Sequence, residues 1–143
     1  MPAQISVLRL HPRARLPERQ STSASGFDLS ACLDEALALT RHPQLVPTGL
    51  ALEAPAGYDV QVRPRSGLSL KGVGAAFGTI DGDYRGEILV TMWTFGDLES
   101  YELHDGDRIA QIVIGQLADV ELVEASELSA SSRAGGGHGS TGR

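Results

Sequence analysis

The chain has 143 residues, a length that suits one domain. It contains 12 Lys and Arg and 18 Asp and Glu, which gives a net charge of −6. This charge argues against a protein that binds nucleic acid or a membrane surface by neutralising phosphates. The single Cys32 excludes an internal disulfide and a multi-cysteine metal cluster, and no apolar run approaches the roughly 20 residues of a membrane helix. We expect an acidic, cytoplasmic domain without nucleic-acid or membrane partners.

Apolar and polar residues alternate along most of the chain, the pattern of half-buried β-strands. This period predicts strands at residues 5–10, 27–33 and 58–63. Residues 88–93 are apolar at all positions but one, and residues 107–117 contain the largely apolar run IAQIVI, which predicts strands buried on both faces. Residues 33–39 fit either a helical turn or a short strand after a bend, and we favour the strand. Gly and Pro separate these segments, so the sequence predicts an all-β sandwich or jelly roll.

The last 20 residues differ in composition from the rest. Residues 1–123 form the predicted β domain, whereas Ser, Ala and Gly dominate residues 124–143, here called the arm. So few bulky apolar side chains cannot offset the entropy of ordering, which predicts a mobile arm in the free protein. Composition alone leaves two roles open for the arm, a solvated terminus or a flap that orders over a ligand.

Residues 64–69, here called the cradle, follow a predicted strand and have the composition of an anion-binding turn. Arg65 offers forked donors, Ser66 a hydroxyl, and Gly67 lets backbone N–H groups approach phosphate oxygens. An ordinary turn with a surface arginine is the alternative.

Residues 78–87 form the densest polar cluster. Asp81 and Asp83 share one face if this chain is extended, and a carboxylate there can accept a proton from water. The ring of Tyr84 can pack on a flat sugar or base. The alternative is a polar hairpin with solvated charges.

A polar residue also interrupts the last predicted strand. Alternation places Asp107, Ile109 and Gln111 on one face, so Gln111 points to an otherwise apolar side and needs a partner from the protein or a ligand. Cys32 has no feature of an activated thiolate nearby and is predicted to be a small packing residue.

Taken in order, five segments resemble the motifs of the trimeric dUTP diphosphatase (dUTPase) family. They are ASGFDLSA at 24–31, PRSGLSLK at 64–71, GTIDGDYRGE at 78–87, GDRIAQIVI at 106–114 and RAGGGHGSTG at 133–142. The resemblance implies a jelly-roll-like distorted β-barrel that assembles as a homotrimer, with active sites shared between subunits. It implies hydrolysis of dUTP to dUMP and pyrophosphate with Mg²⁺, which limits uracil in DNA and supplies dUMP for thymidylate synthesis.

The resemblance also implies a role for each matching residue. Asp81 resembles the general base, and Tyr84 the residue that packs against deoxyribose. Asp28 resembles an acid that acts through metal-bound water or through the arginine of the second motif, with Mg²⁺ held mainly by the triphosphate. The remaining implied substrate contacts are Arg65, Ser66, Gly67, Gly78, Gln111, Arg133, His138, Gly139 and Ser140.

The chain departs from the family pattern at two places. His138 stands where members commonly have a Phe that stacks over uracil, and residues 72–77 are shorter than expected for the uracil pocket. Ala75, Ala76 and Phe77 are the predicted lining of that pocket.

Three competing functions are compatible with this fold. The first is a dCTP deaminase, which needs a catalytic Glu in the pocket, whereas the acid of the third motif here is Asp81 and Glu87 lies beyond the Tyr-Arg-Gly turn. The second is an enzyme that acts on both deoxyuridine and deoxycytidine nucleotides. The third is a catalytically inactive trimer that senses nucleotides or binds a partner, against which the presence of Asp81, Tyr84 and Gln111 argues.

Overall fold

In the computed structural model, which describes residues 1–139 and 142, short β-strands account for most of the regular structure. Along this part of the chain the elements are β1 (Ser6–Arg9), β2 (Gly26–Ser30), β3 (Leu37–Leu39), β4 (Gln44–Pro47), β5 (Leu50–Glu53), β6 (Tyr58–Arg63), α1 (Ser66–Lys71), β7 (Val73–Ala75), β8 (Gly78–Ile80), β9 (Leu89–Thr94), β10 (Tyr101–Leu103) and β11 (Arg108–Gln116). The predicted all-β class is confirmed. In the described residues, no helix is both long enough and apolar enough to cross a membrane.

The strands form four antiparallel sheets around one core. The largest sheet has the order β2-β11-β6-β8, a second has the order β4-β9-β7, and β1-β5 and β10-β3 are two-stranded. One connected hydrophobic cluster includes buried residues from all four sheets, among them Leu29, Val46, Leu52, Val62 and Leu103. This layered arrangement is jelly-roll-like, and its sheets remain separate in the described part of the chain rather than closing into one barrel.

The two strands predicted to be buried on both faces are buried on one face only. In β9, Val90 and Met92 are fully buried, whereas Leu89 on the other face is 43% exposed. In β11, Ala110 and Ile112 are buried, while Val113 is half-buried. The prediction was wrong because the outer faces of these strands have no second layer over them within the described part of this chain.

Residues 33–39 contain the predicted bend and short strand. The chain bends at Asp34 and Glu35 and then forms β3, which pairs with β10. The helical alternative for this segment is therefore excluded by the structure.

A short helix, α1, occupies the place where the sequence predicted a turn. Leu68 is its buried residue, and the helix ends at Gly72, which has a left-handed φ of 95°. Only glycine adopts this conformation without a steric cost, so Gly72 ends the helix and turns the chain into β7. A helix of six residues with a single buried side chain has no apolar period, so the pattern of residues could not indicate it.

Candidate active site

Three neighbouring strands place polar residues in one row on the largest sheet. Gln111 of β11 lies opposite Asp28 of β2 on one side and opposite Arg63 of β6 on the other. The cradle begins directly after Arg63 at the same end of β6. Segments far apart in sequence therefore meet here because strand register brings them together.

Asp28 lies between two arginines. Its Oδ1 is 3.5 Å from Nε of Arg65, and its Oδ2 is 3.6 Å from Nη1 of Arg108. Nη1 of Arg65 also donates a hydrogen bond of 3.1 Å to the carbonyl oxygen of Arg108. The Asp28 side chain is only 14% exposed, so two guanidinium groups compensate a carboxylate that would be costly to bury alone.

Sequence reasoning missed Arg108. A charged residue at the start of a buried strand is a usable signal, but its contact with Asp28 depends on pairing between β2 and β11. We call Asp28, Arg65, Arg108 and Gln111 the phosphate cluster. Oδ2 of Asp28 is buried and has no hydrogen-bond partner among the described residues, although it forms the 3.6 Å ion pair with Arg108.

The predicted orientation of Gln111 was wrong. The register of β11 against β2 shifts between Arg108 and Ala110, so Ile109 is an extra residue and both Ile109 and Ala110 are fully buried. A bulge of this kind reverses the alternation beyond it. Gln111 therefore shares a face with Asp28 rather than with the core, and its Nε2 donates a 3.0 Å hydrogen bond to the carbonyl oxygen of Pro64.

The cradle leads into the first turn of α1. Arg65 is the N-cap and makes no side-chain cap hydrogen bond, and Ser66 and Gly67 are exposed. The first N–H groups of a helix lack intrahelical partners, so they are available to oxygen atoms of a ligand. This placement agrees with the anion-binding composition of the segment.

Residues 78–87 form a separate cavity of about 220 Å³. The cavity is lined by Val62, Gly78, Thr79, Ile80, Asp81, Tyr84, Glu87, Ile88 and Leu89. Asp81 and Tyr84 are joined by a turn, in which the N–H of Tyr84 donates to the carbonyl of Asp81 at 3.0 Å. The extended conformation assumed for Asp81 and Asp83 was therefore wrong.

The residues that line this cavity include Glu87 and do not include those predicted to line the uracil pocket. Glu87 lines the cavity with Asp81, although its sequence position beyond the turn suggested otherwise, and the hydroxyl of Tyr84 donates to the Glu87 carbonyl at 2.7 Å. Ala75, Ala76 and Phe77 do not line this cavity, and their place in the lining of a uracil pocket stays a prediction. Ala75 is buried in β7 and Phe77 is 73% exposed.

Within one chain Asp81 and the phosphate cluster lie toward opposite ends of β6, although the cavity itself reaches Val62. Ile80 is paired with Val60, and Asp81 follows it, whereas Gln111 is paired with Arg63. Asp81 therefore lies one residue beyond the level of Val60, at a level four residues along β6 from Arg63. Four residues of a strand span roughly 13 Å, so the carboxylate of Asp81 and the cradle do not converge in a single chain.

The described part of the arm is mostly exposed. Every residue from Gly115 to Gly135 is exposed. Arg133 bonds within the arm, where its carbonyl accepts a 3.0 Å hydrogen bond from the N–H of Gly136 and its Nε donates to the Gly136 carbonyl. His138 is exposed with a φ of 51°, and Gly139 follows it. Ser140 and Thr141 lie outside the described residues.

Two groups away from the cavity have perturbed pKa values. Burial raises the pKa of the Cys32 thiol, and the nearby Asp105 carboxylate raises it further. A hydrogen bond from Arg13 lowers the pKa of Asp34, with a separation of 2.7 Å between Nη2 and Oδ1. The raised value for Cys32 fits a packing residue rather than a nucleophile.

Comparison with known proteins identifies the family. The family model of dUTPase matches residues 12–142. The deoxyuridine 5'-triphosphate nucleotidohydrolase of Wolinella succinogenes is 47% identical, covering 98% of this chain and 95% of the relative. The enzyme of the same name from Anaeromyxobacter sp. is 48% identical over the full length of both. The dUTPase of Staphylococcus bacteriophage 80alpha, solved with dUPNHPP, has a TM-score of 0.85 at 28% identity, covering 98% of this chain and 99% of that one. This chain belongs to the dUTPase family.

Proposed function

We propose that this chain hydrolyses dUTP to dUMP and pyrophosphate by attack of water on the α-phosphorus. The observation that carries the proposal is the contact of Asp28 and Gln111 with the cradle, Asp28 through Arg65 and Gln111 through the Pro64 carbonyl. The chain's full-length relatives are named for this reaction. The reaction limits uracil incorporation into DNA and supplies dUMP for thymidylate synthesis.

The phosphate cluster and the cradle are suited to bind the triphosphate. Arg65 is held by Asp28 and by the carbonyl of Arg108, so its guanidinium is already oriented before substrate arrives. Gln111, Ser66 and Gly67 add donors from the amide, the hydroxyl and the backbone. Preorganised donors stabilise the charge that develops on phosphate oxygens without reorganisation during the reaction.

The chain is suited to take Mg²⁺ together with the substrate rather than alone. The described residues contain no group of three or more His, Cys, Asp or Glu able to hold a metal ion. Oδ2 of Asp28, which makes no hydrogen bond among the described residues, is the proposed acceptor for a water in the hydration shell of the ion once substrate has entered. Mg²⁺ usually keeps several waters and binds through substrate phosphates, where it neutralises charge on the reacting group.

The cavity of residues 78–87 is assigned to the nucleoside and the attacking water. Asp81 is the proposed general base, because an exposed carboxylate beside the cavity needs only to lie close to the water. Tyr84 is the proposed platform for deoxyribose, with its ring held by the hydrogen bond to the Glu87 carbonyl. Gly78 also lines the cavity, on the strand that pairs with β6 at Val62.

The proposed assembly is a homotrimer in which each site combines residues of different subunits. The separation of Asp81 from the cradle along β6 supports this arrangement, because one chain alone does not bring base and phosphate site together. The arm completes the site in this proposal, with Arg133 and Ser140 at the γ-phosphate and His138 and Gly139 over the base. A cytoplasmic location fits a substrate drawn from the nucleotide pool.

Incubation with dUTP or dCTP and Mg²⁺ tests the activity. Release of pyrophosphate and dUMP from dUTP alone is the expected result. Ammonia released from dCTP would instead assign deamination, for which Glu87 in the cavity is the acid to consider. Absence of both products, together with retained binding of dUPNHPP, would indicate a nucleotide-binding protein without this catalytic activity.

Mixed oligomers test the shared site. Asp81→Asn and Gln111→Ala variants, each expected to have reduced but measurable activity alone, are unfolded together, refolded and assayed. If base and cradle come from different chains, random mixing restores both groups in about one quarter of the sites. Activity that stays at the level of the separate variants would show that each site lies within one chain.

A further inference from the structure

Gly26 lies directly beneath the side chain of Gln111. Gly26 belongs to β2 and shares a face with Asp28, two residues further along the strand. A Cβ atom at position 26 would overlap Oε1 of Gln111, stand 2.9 Å from its Cδ and 3.1 Å from its Cβ. The Gln111 amide therefore occupies the volume that any other residue at this position would fill.

Space rather than backbone conformation requires glycine here. The φ of Gly26 is not positive, so alanine could adopt its backbone geometry. Gly26 is buried and paired with Val113 across the strands, which prevents the backbone from moving away. The steric conflict would fall on the Gln111 side chain, because an amide on a flexible stem moves more easily than two paired strands.

The Gln111 amide connects β11 to the cradle. Its Nε2 donates to the carbonyl oxygen of Pro64, the first residue of the cradle, at 3.0 Å. A carbonyl oxygen only accepts, so this bond fixes which end of the amide faces the cradle. The second N–H of Nε2 has no acceptor among the described residues and is available to a phosphate oxygen.

We infer that Gly26 is a positioning residue for Gln111: the missing side chain lets the amide lie across β2, bond Pro64 and hold the cradle. The inference rests on the proposed function only for the step in which the cradle binds phosphate. A side chain at position 26 would turn the amide away, break the bond to Pro64 and misplace Arg65 and Ser66. A displacement of about 1 Å at a positioning group can reduce a rate on the order of 10²-fold.

A double-mutant cycle tests the inference. The variants are Gly26→Ala, Gln111→Ala and the double variant, with Gly115→Ala as the control. Gly115 also lies on this sheet without a positive φ, and a Cβ there meets nothing within 4 Å. Each variant is assayed for kcat and KM with dUTP and, without nucleotide, for its free energy of unfolding in urea.

We expect Gly26→Ala to lower kcat/KM on the order of 10²-fold. In the Gln111→Ala background the same substitution should change kcat/KM by less than about two-fold, because the overlap with the amide has been removed and only the 3.1 Å contact with Cβ of residue 111 remains. The kcat/KM of Gly115→Ala should equal that of the wild type. Unchanged kinetics for Gly26→Ala, or losses that multiply in the double variant, would overturn the inference.

The unfolding data distinguish failure of this inference from failure of the proposed function. They report the contact between Gly26 and Gln111 even if dUTP is not a substrate. If Gly26→Ala alone does not fold but the double variant does, the steric contact is supported. If neither folds, Gly26 is needed for a reason other than room for Gln111, and the inference is wrong.

Discussion

The buried hydroxyl of Thr48 offers a test of how the cavity wall is held in place. Thr48 is fully buried, and its Oγ1 donates a 2.7 Å hydrogen bond to the carbonyl oxygen of Ile88. The same atom accepts a longer hydrogen bond of 3.3 Å from the N–H of Leu50. Ile88 lines the cavity, so this hydroxyl ties the turn after β4 to the residue that precedes β9.

Thr48→Val replaces the hydroxyl with a methyl group of similar size. It leaves the buried Ile88 carbonyl without this donor, at a cost of about 1–3 kcal/mol, and it removes the acceptor of the longer hydrogen bond from the Leu50 N–H, which adds about 1 kcal/mol. The added methyl returns about 0.8 kcal/mol. We therefore expect a net loss of about 2 kcal/mol in the free energy of unfolding.

Thr48→Ser is the matched control because it keeps the hydroxyl and removes only the methyl group. Its expected cost is about 1 kcal/mol, so the order of stability should be wild type, Thr48→Ser, then Thr48→Val. Urea unfolding followed by circular dichroism measures this order, at one protein concentration because assembly of the proposed trimer would add to the stability. If Thr48→Val equals or exceeds Thr48→Ser in stability, the hydroxyl does not hold Ile88 as described.

Four further predictions concern the site and its surroundings. Asp81→Asn should lower kcat by about 10²–10⁴-fold while binding of dUPNHPP persists, as measured by steady-state kinetics and calorimetry. Tyr84→Ala should weaken dUTP binding and reduce the preference for dUTP over UTP, which the two kcat/KM values compare directly. Truncation after Ser132 should leave the circular dichroism spectrum unchanged, since no described residue beyond it is buried, yet strongly lower kcat/KM; equal kinetics would make the arm a passive terminus. Because burial raises the pKa of Cys32, its thiol should react with iodoacetamide at pH 8 more slowly in the folded protein than in protein unfolded in urea. The rate in the folded protein should increase as the pH rises; equal rates in folded and unfolded protein would contradict this prediction.

The amino-acid sequence by itself determined the all-β class, six of the eleven strands in the described part of the chain and the residue types of the site, whereas it did not indicate β4, β5, β7, β8 and β10. The alternation in residues 58–63 predicted which side of β6 faces the core, and Val60 and Val62 are indeed buried. Such patterns are local, because successive side chains of a strand point to opposite faces whatever the strand packs against. The order of the five segments was likewise enough to identify the family.

Only the tertiary structure decided how the site residues are oriented and which of them touch. The bulge at Ile109 turns Gln111 away from the core, and its position depends on the pairing of β11 with β2. The contact of Arg108 with Asp28 and the clearance over Gly26 arise from the same pairing. Strand register is set by the packing of segments distant in sequence, so no local pattern contains it.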